Sequence, residues 1–289
     1  MRTFAQKIQM TDGVYGTELQ REVMPGGCIE LMNIENPQIV EEIAKSYVKA
    51  GSDVIMTNTL GAHRFMLSSY GMANRASELA EAGAAISSRA VEGTDVKVFG
   101  SFGPSGKIVM MGEVDRGELS AAFSETAQAL IKGGADAIVL ETFSDIEEAQ
   151  IALEAVKAAC SLPVVVSLVF AYGPEKTMTM MGNSPAQLAE MAEKFGADAV
   201  GANCGIGPES YVQVTKMLRE ATELPIWVKP NAGLPEIRNG QTIFPMGPEK
   251  FASFAGCLID AGANFIGGCC GCSPEHIRAI REIVDKRNG

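Results

Sequence analysis

Short apolar, β-branched runs alternate with longer segments of helical period along the whole chain, which is the pattern of consecutive βα units on a parallel sheet. Eight such runs are legible, at residues 8–12, 53–58, 97–101, 137–141, 163–170, 199–204, 225–229 and 264–268. Eight units favour closure, so the predicted fold is α/β: a closed (βα)8 TIM barrel formed as a single domain over residues 1–289. A helix-end phrase recurs as Ala50-Gly51-Ser52-Asp53, Gly133-Gly134-Ala135-Asp136, Phe195-Gly196-Ala197-Asp198 and Ala261-Gly262-Ala263-Asn264, each time leading into an apolar run. Glycine there can take the left-handed conformation that stops a helix, so the phrase marks αβ turns on one rim. Asn36-Pro37, Ser184-Pro185, Gly207-Pro208, Gly247-Pro248 and Ser273-Pro274 mark helix starts, where proline has no donor to lose. Three long loops, at 103–117, 171–183 and 231–246, follow strands and so fall on the face where barrels place their active sites.

With 289 residues, 46% of them apolar, the chain can bury a full core. A net charge of −11 without any Lys/Arg-rich run argues against nucleic acid or an anionic membrane as the main partner. Met1 to Met10 carries Arg2 and Lys7 but no continuous apolar segment, and no stretch approaches the ~20 apolar residues of a membrane span; the expected location is the cytoplasm. Seven cysteines, an odd number, are poorly explained by a disulfide framework in such a chain, which leaves reduced thiols, metal ligation or plain burial.

The strongest chemical signal is Gly201-Ala202-Asn203-Cys204-Gly205 at the end of the sixth run, set against Gly267-Gly268-Cys269-Cys270-Gly271 at the end of the eighth. Both put thiols on one rim, one strand apart. Adjacent residues of a regular strand face opposite ways, so Cys269 and Cys270 share an ion only if the strand breaks there; Gly267, Gly268 and Gly271 permit the break. A vicinal disulfide would be strained. Three thiolates with an open fourth position describe a zinc site that admits a substrate thiol, and a metal-bound thiol is a nucleophile at neutral pH. The alternatives are buried cysteine acting as a small hydrophobe and a closed structural site completed by Cys272. Cys28, Cys160 and Cys257 have no partner pattern, and Cys160 and Cys257 read as helical core residues.

At these residues the chain resembles the homocysteine S-methyltransferase family, and within it the homocysteine-binding module of cobalamin-dependent methionine synthase. The shared phrases span nearly the whole chain: Asp12-Gly13-Val14-Tyr15-Gly16-Thr17, Thr57-Asn58-Thr59, Glu141-Thr142-Phe143-Ser144-Asp145, Gly201-Ala202-Asn203-Cys204, Pro230-Asn231-Ala232-Gly233 and Gly267-Gly268-Cys269-Cys270-Gly271. The resemblance implies that Cys204, Cys269 and Cys270 bind zinc, and that Asp12, Gly13, Thr57 and Glu141 hold the amino-acid end of homocysteine. An ammonium group does want carboxylates, and Asp12 and Glu141 end the first and fourth runs on the same face. Asn231 is where the resemblance places a side-chain oxygen that meets zinc when homocysteine is absent. In the betaine-using branch a tyrosine plays that part; Gly61, after Thr57-Asn58-Thr59-Leu60, favours the cobalamin-type module.

Two departures bear on the donor. Cys272 replaces the small hydroxyl residue usual after Cys-Cys-Gly, and the folate, cobalamin and activation modules of a full synthase are not in this chain. The expected reaction is zinc-dependent methyl transfer to homocysteine, giving methionine, from methylcobalamin carried by a corrinoid partner protein. S-methylmethionine, S-adenosylmethionine or betaine, another thiol acceptor, or a non-catalytic zinc- or thiol-binding module remain alternatives. His63 and His276 lack metal-ligand spacing and read as structural, and Met110-Met111 and the Met178 to Met181 run read as loop packing on the active-site face.

Overall fold

The computed structural model describes residues 7–19, 27–238 and 241–288, so Arg2 lies outside the described residues. Eight parallel strands coincide with the eight predicted runs: β1 Gln9–Met10, β2 Val54–Met56, β3 Lys97–Phe102, β4 Ala137–Phe143, β5 Val164–Leu168, β6 Ala199–Cys204, β7 Ile226–Pro230 and β8 Phe265–Ile266. They pair in sequence order, with β8 returning to β1. The remaining seam, between β1 and β2, is closed largely by carboxylates. The Asp53 amide donates to the Met10 carbonyl at 2.8 Å, while the Asp53 side chain accepts from Met10 N and the Asp12 side chain from Met56 N, both at 2.7 Å.

The recurring helix-end phrase is a structural repeat that occurs once per two βα units. The glycine at its second position, Gly51, Gly134, Gly196 and Gly262 in turn, has positive φ each time. Its last residue then clamps the foot of the preceding strand in the same way each time. Asp53, Asp136, Asp198 and Asn264 donate their amides to Met10, Val98, Val164 and Ile226, and their side-chain oxygens accept those residues' amides in return. Each clamp satisfies two backbone groups that the ladder would otherwise leave open at the rim.

Inward-facing residues fill the barrel in layers. Phe99 stacks on Trp227 with centroids 5.9 Å apart, and Phe265 lies 5.3 Å from Trp227 and 6.4 Å from Phe99. This aromatic layer is the floor on which the C-terminal rim stands. The five Pro-led helices start where expected, at Pro37, Pro185, Pro208, Pro248 and Pro274, and Ser184 forms a capping box with Gln187.

Two expectations need correction. The stretch 231–246 is not an unstructured loop, because Glu236–Arg238 pairs antiparallel with Gln241–Ile243. Cys257 is not a core residue: its short helix, Ala255–Asp260, buries Ala255 and Leu258 on one face and turns Cys257 outward to solvent. Cys160 is half-buried and stands just past its helix, at the C-cap. No helix among the described residues is long and apolar enough to cross a membrane.

Candidate active site

The Sγ atoms of Cys204, Cys269 and Cys270 all lie within 4.8 Å of one another at the barrel mouth. Strict alternation would point Cys204 away from the Asn203 face, but Cys204 has φ +63°, which breaks the strand and turns its thiol inward. The second break falls where the glycines predicted it. The chain reverses through a bond from Cys272 N to Cys269 O at 3.0 Å, with Gly271 at φ +82°.

A tetrahedral zinc with bonds of about 2.3 Å needs sulfurs about 3.8 Å apart, which this cluster can meet with small adjustments. Its electrostatics also ask for a cation. Thiol hydrogen bonds from Cys269 and Cys270 outweigh burial and hold Cys204 far below the usual thiol range, while sharing with Cys204 pushes Cys269 and Cys270 well above it. One thiolate forms easily and two resist, and a divalent ion is what stabilises all three together. Cys272 stays out of the cluster, its buried Sγ facing the Pro230 carbonyl at 3.8 Å.

Asn231 braces the ligand loops. Its Oδ1 accepts from Cys270 N at 3.0 Å and its Nδ2 donates to the Gly205 carbonyl at 2.9 Å, and its side chain also hydrogen-bonds Cys204, which helps hold that thiol low. Neither histidine approaches the thiols. His63 Nε2 contacts the Pro104 carbonyl and His276 Nε2 the Met246 carbonyl, while each Nδ1 accepts a backbone amide, a pattern only the neutral Nε2–H form satisfies.

Beside the thiols lies a cavity of about 170 Å³, lined by Gly13, Thr57, Glu141, Lys229 and the three cysteines, and by the apolar side chains of Ile29, Met56 and Leu60. At about 10–15 Å³ per water it holds on the order of ten small groups, the size of a short amino acid. Gly13 belongs to its wall for a steric reason, since a Cβ there would sit 2.1 Å from the Cys272 carbonyl oxygen. The Thr57 hydroxyl bonds Thr59 and accepts from Ser101 N. Glu141 is 9% exposed, and burial raises its carboxyl pKa against the pull of Lys229 and a Ser101 hydrogen bond.

Asp12 is placed differently from the simplest expectation. Its carboxylate is fully buried, with one oxygen 2.6 Å from Lys229 Nζ and the other on Met56 N. Burial works against the Lys229 ammonium, but Asp12 and Glu141 outweigh it and raise its pKa. Lys229 is the main residue the sequence reading missed. The signal was a lysine ending an apolar strand on the same rim as two acids, two residues past Trp227 and so on the inward face.

The comparisons with known proteins agree with this geometry. The profile of the homocysteine S-methyltransferase family matches residues 9–284. Methionine synthase of Mycobacterium tuberculosis (strain ATCC 25618 / H37Rv) is 33% identical over 97% of this chain, and that of Mycobacterium leprae (strain TN) is 31% identical over all of it. The chain spans about a quarter of the length of these two relatives. The crystal structure of the metallated form of the homocysteine methyltransferase MmuM from Escherichia coli superposes with a TM-score of 0.80 at 23% identity, covering 96% of each chain, a likeness of fold. A profile match across nearly the whole barrel, on a chain that gathers its three rim thiols beside an amino-acid-sized cavity, places this chain in the homocysteine S-methyltransferase family.

Proposed function

We propose that the chain transfers a methyl group to the thiol of L-homocysteine, giving methionine, with zinc held by Cys204, Cys269 and Cys270. The observation that carries this reading is one cavity with three converging thiols at one end and Glu141 and Lys229 along its wall. Cys204, Cys269 and Cys270 would hold the zinc, which when bound would lower the pKa of an incoming thiol so that it reacts as a thiolate at neutral pH. Glu141 receives the substrate ammonium. Lys229, with hydrogens directed at Asp12 Oδ1 and the Gly13 carbonyl, has a third for the substrate carboxylate. Asp12, Gly13 and Thr57 complete the amino-acid end, Asp12 acting through Lys229, and Ile29, Met56 and Leu60 thin the water around the sulfur. The sulfur–methyl bond forms as the donor–methyl bond breaks, with no covalent enzyme intermediate, and the barrel's contribution is alignment.

The donor in this reading is methylcobalamin on a corrinoid partner protein. Met110, Met111, Met180, Leu234 and Ile237 stand exposed on loops that follow the strands around the mouth, suited to a broad apolar partner. The test is an anaerobic assay of zinc-loaded protein with homocysteine, offering methylcobalamin, S-methylmethionine, S-adenosylmethionine and betaine in parallel, with Cys270→Ala as control. Methionine from methylcobalamin, absent in the control, is the expected result. Methionine from a sulfonium or betaine alone overturns the donor, and a wild-type protein that binds one zinc but no homocysteine overturns the acceptor.

A further inference from the structure

The strand that carries Glu141 loses its regular pairing directly after that residue. Leu140 pairs with Val166 and Phe143 with Leu168, so Glu141 and Thr142 together oppose the single residue Ser167. That is a β-bulge, and it resets the parity of the strand. Phe143 consequently turns out to pack on Phe123, 6.2 Å between centroids, while Glu141, on the inward face by alternation with Ala137 and Val139, is left as the last regular inward residue, at the cavity. The extra residue, Thr142, has φ +68°, a conformation that disfavours any side chain and persists only where its surroundings over-determine it.

The side chain that over-determines it is Asn203. Its Oδ1 accepts from Thr142 N at 2.9 Å and from the Ser167 hydroxyl at 2.7 Å, and its Nδ2 donates to Thr142 Oγ1 at 2.8 Å. One wholly buried amide thus grips both strands of the bulge. Its own backbone carbonyl is held separately by the Tyr211 hydroxyl at 2.9 Å, and the thiol loops have their own brace in Asn231. We infer that Asn203 is a positioning residue that locks the Thr142 bulge, and so fixes the peptide next to Glu141 and the place from which its carboxylate reaches the substrate, while Asn231 positions the thiols.

This assignment rests on the proposed function only for what Glu141 binds. The bulge itself is read by crystallography, and the substrate by calorimetric titration of homocysteine into zinc-loaded protein, with bound zinc counted for each variant. In Asn203→Ala, Thr142 is expected to leave positive φ and the Glu141 carboxylate to shift from its place in the cavity, with homocysteine affinity down about tenfold or more and one zinc still bound. The left-handed conformation disfavours a side chain by a factor of about 5–30 and glycine hardly at all. Asn203→Ala/Thr142→Gly is therefore expected to restore the bulge and most of the affinity, a rescue that a merely structural role for Asn203 does not produce. Asn231→Ala should show the reverse split, weakening zinc first. The inference is overturned if Glu141 keeps its place in Asn203→Ala, if the double variant leaves it displaced, or if zinc is lost in step with homocysteine affinity. If wild-type protein binds no homocysteine, the proposed acceptor falls, and the crystal structures still decide the role of Asn203.

Discussion

Lys229→Met removes the cation from an ion pair whose side chains are 3% and 0% exposed and 2.6 Å apart. What remains is a carboxylate with one oxygen on Met56 N and the other facing a thioether in the barrel interior. Breaking such a pair from one side costs about 3–5 kcal/mol, because an uncompensated charge is left buried. For a chain of this size, that is a fall of roughly 6–10 °C or more in Tm, at about 2 °C per kcal/mol. The solvated Arg75–Glu78 pair is the internal control, and Arg75→Ala should leave stability close to wild type. Asp12→Asn/Lys229→Met removes both charges while Asn keeps an oxygen for Met56 N, so it should recover most of the stability. It should not recover homocysteine affinity, since the cation for the substrate carboxylate stays absent. Urea unfolding of the four proteins, with calorimetric titration of homocysteine, measures both quantities. A Lys229→Met protein within about 1 kcal/mol of wild type would refute the reasoning, since a solvated pair is the only kind that is lost so cheaply.

Glu141→Gln keeps the shape and removes the charge, and a charge-assisted bond of about 1.5–3 kcal/mol implies a homocysteine KM raised roughly 10- to 100-fold; an unchanged KM in steady-state kinetics would remove Glu141 from the ammonium site. Cys270→Ala should lose most of its zinc by metal analysis yet keep the wild-type circular dichroism spectrum, because the cluster sits on the rim above a complete core; unfolding on metal loss would mark the zinc as structural. Burial holds His63 near a pKa of about 4, against 6.5 in the unfolded chain, so the unfolded state takes up the proton first as pH falls. The associated stability, roughly 3 kcal/mol, is present above pH 6.5 and is lost as pH falls through about 4. His63→Phe should flatten that part of the acid limb in urea titrations at pH 7 and pH 4.5, whatever its offset at neutral pH, and an unchanged slope would assign the limb to other groups.

The barrel was legible because each βα unit repeats one local rule, and the Gly-x-Asp phrase turned out to be a clamp used at β2, β4, β6 and β8. The thiol site was legible because vicinal cysteines among glycines have few other physical uses. Lys229 was hidden by the habit of reading a lysine at the end of a strand as solvated, and only strand parity relative to Trp227 reveals that it faces inward. The bulge at Thr142 carries no glycine or proline to announce it, and its partner Asn203 lies 61 residues away. The antiparallel pair at Glu236–Arg238 and Gln241–Ile243 did have a signal in the sequence, since Asn-Gly is a dipeptide favoured for two-residue hairpin turns and the sequence carries it at 239–240.

The commitments of Asp12 tie the binding chemistry to the fold. β1 and β2 are the one neighbouring pair of barrel strands without a ladder, and Asp12 supplies part of the missing pairing by accepting Met56 N. Its second oxygen neutralises Lys229, which stands directly above the aromatic layer with Nζ 5.7 Å from the Trp227 ring. An acid that both closes the seam and fixes a buried lysine is fully buried and does not line the cavity, whereas Glu141 does, so in the proposed reading recognition of the ammonium passes to Glu141. Glu141 lines the cavity itself, and a separate network centred on Asn203 fixes the peptide that follows it. The two carboxylates that look equivalent in the sequence thereby have different tasks in the proposed function: Asp12 holds the barrel end and its buried lysine, and Glu141 is the negative charge for the amino group. Asp12→Asn should then lower stability while changing homocysteine affinity less than Glu141→Gln does, and a larger loss of affinity in Asp12→Asn would reverse the assignment.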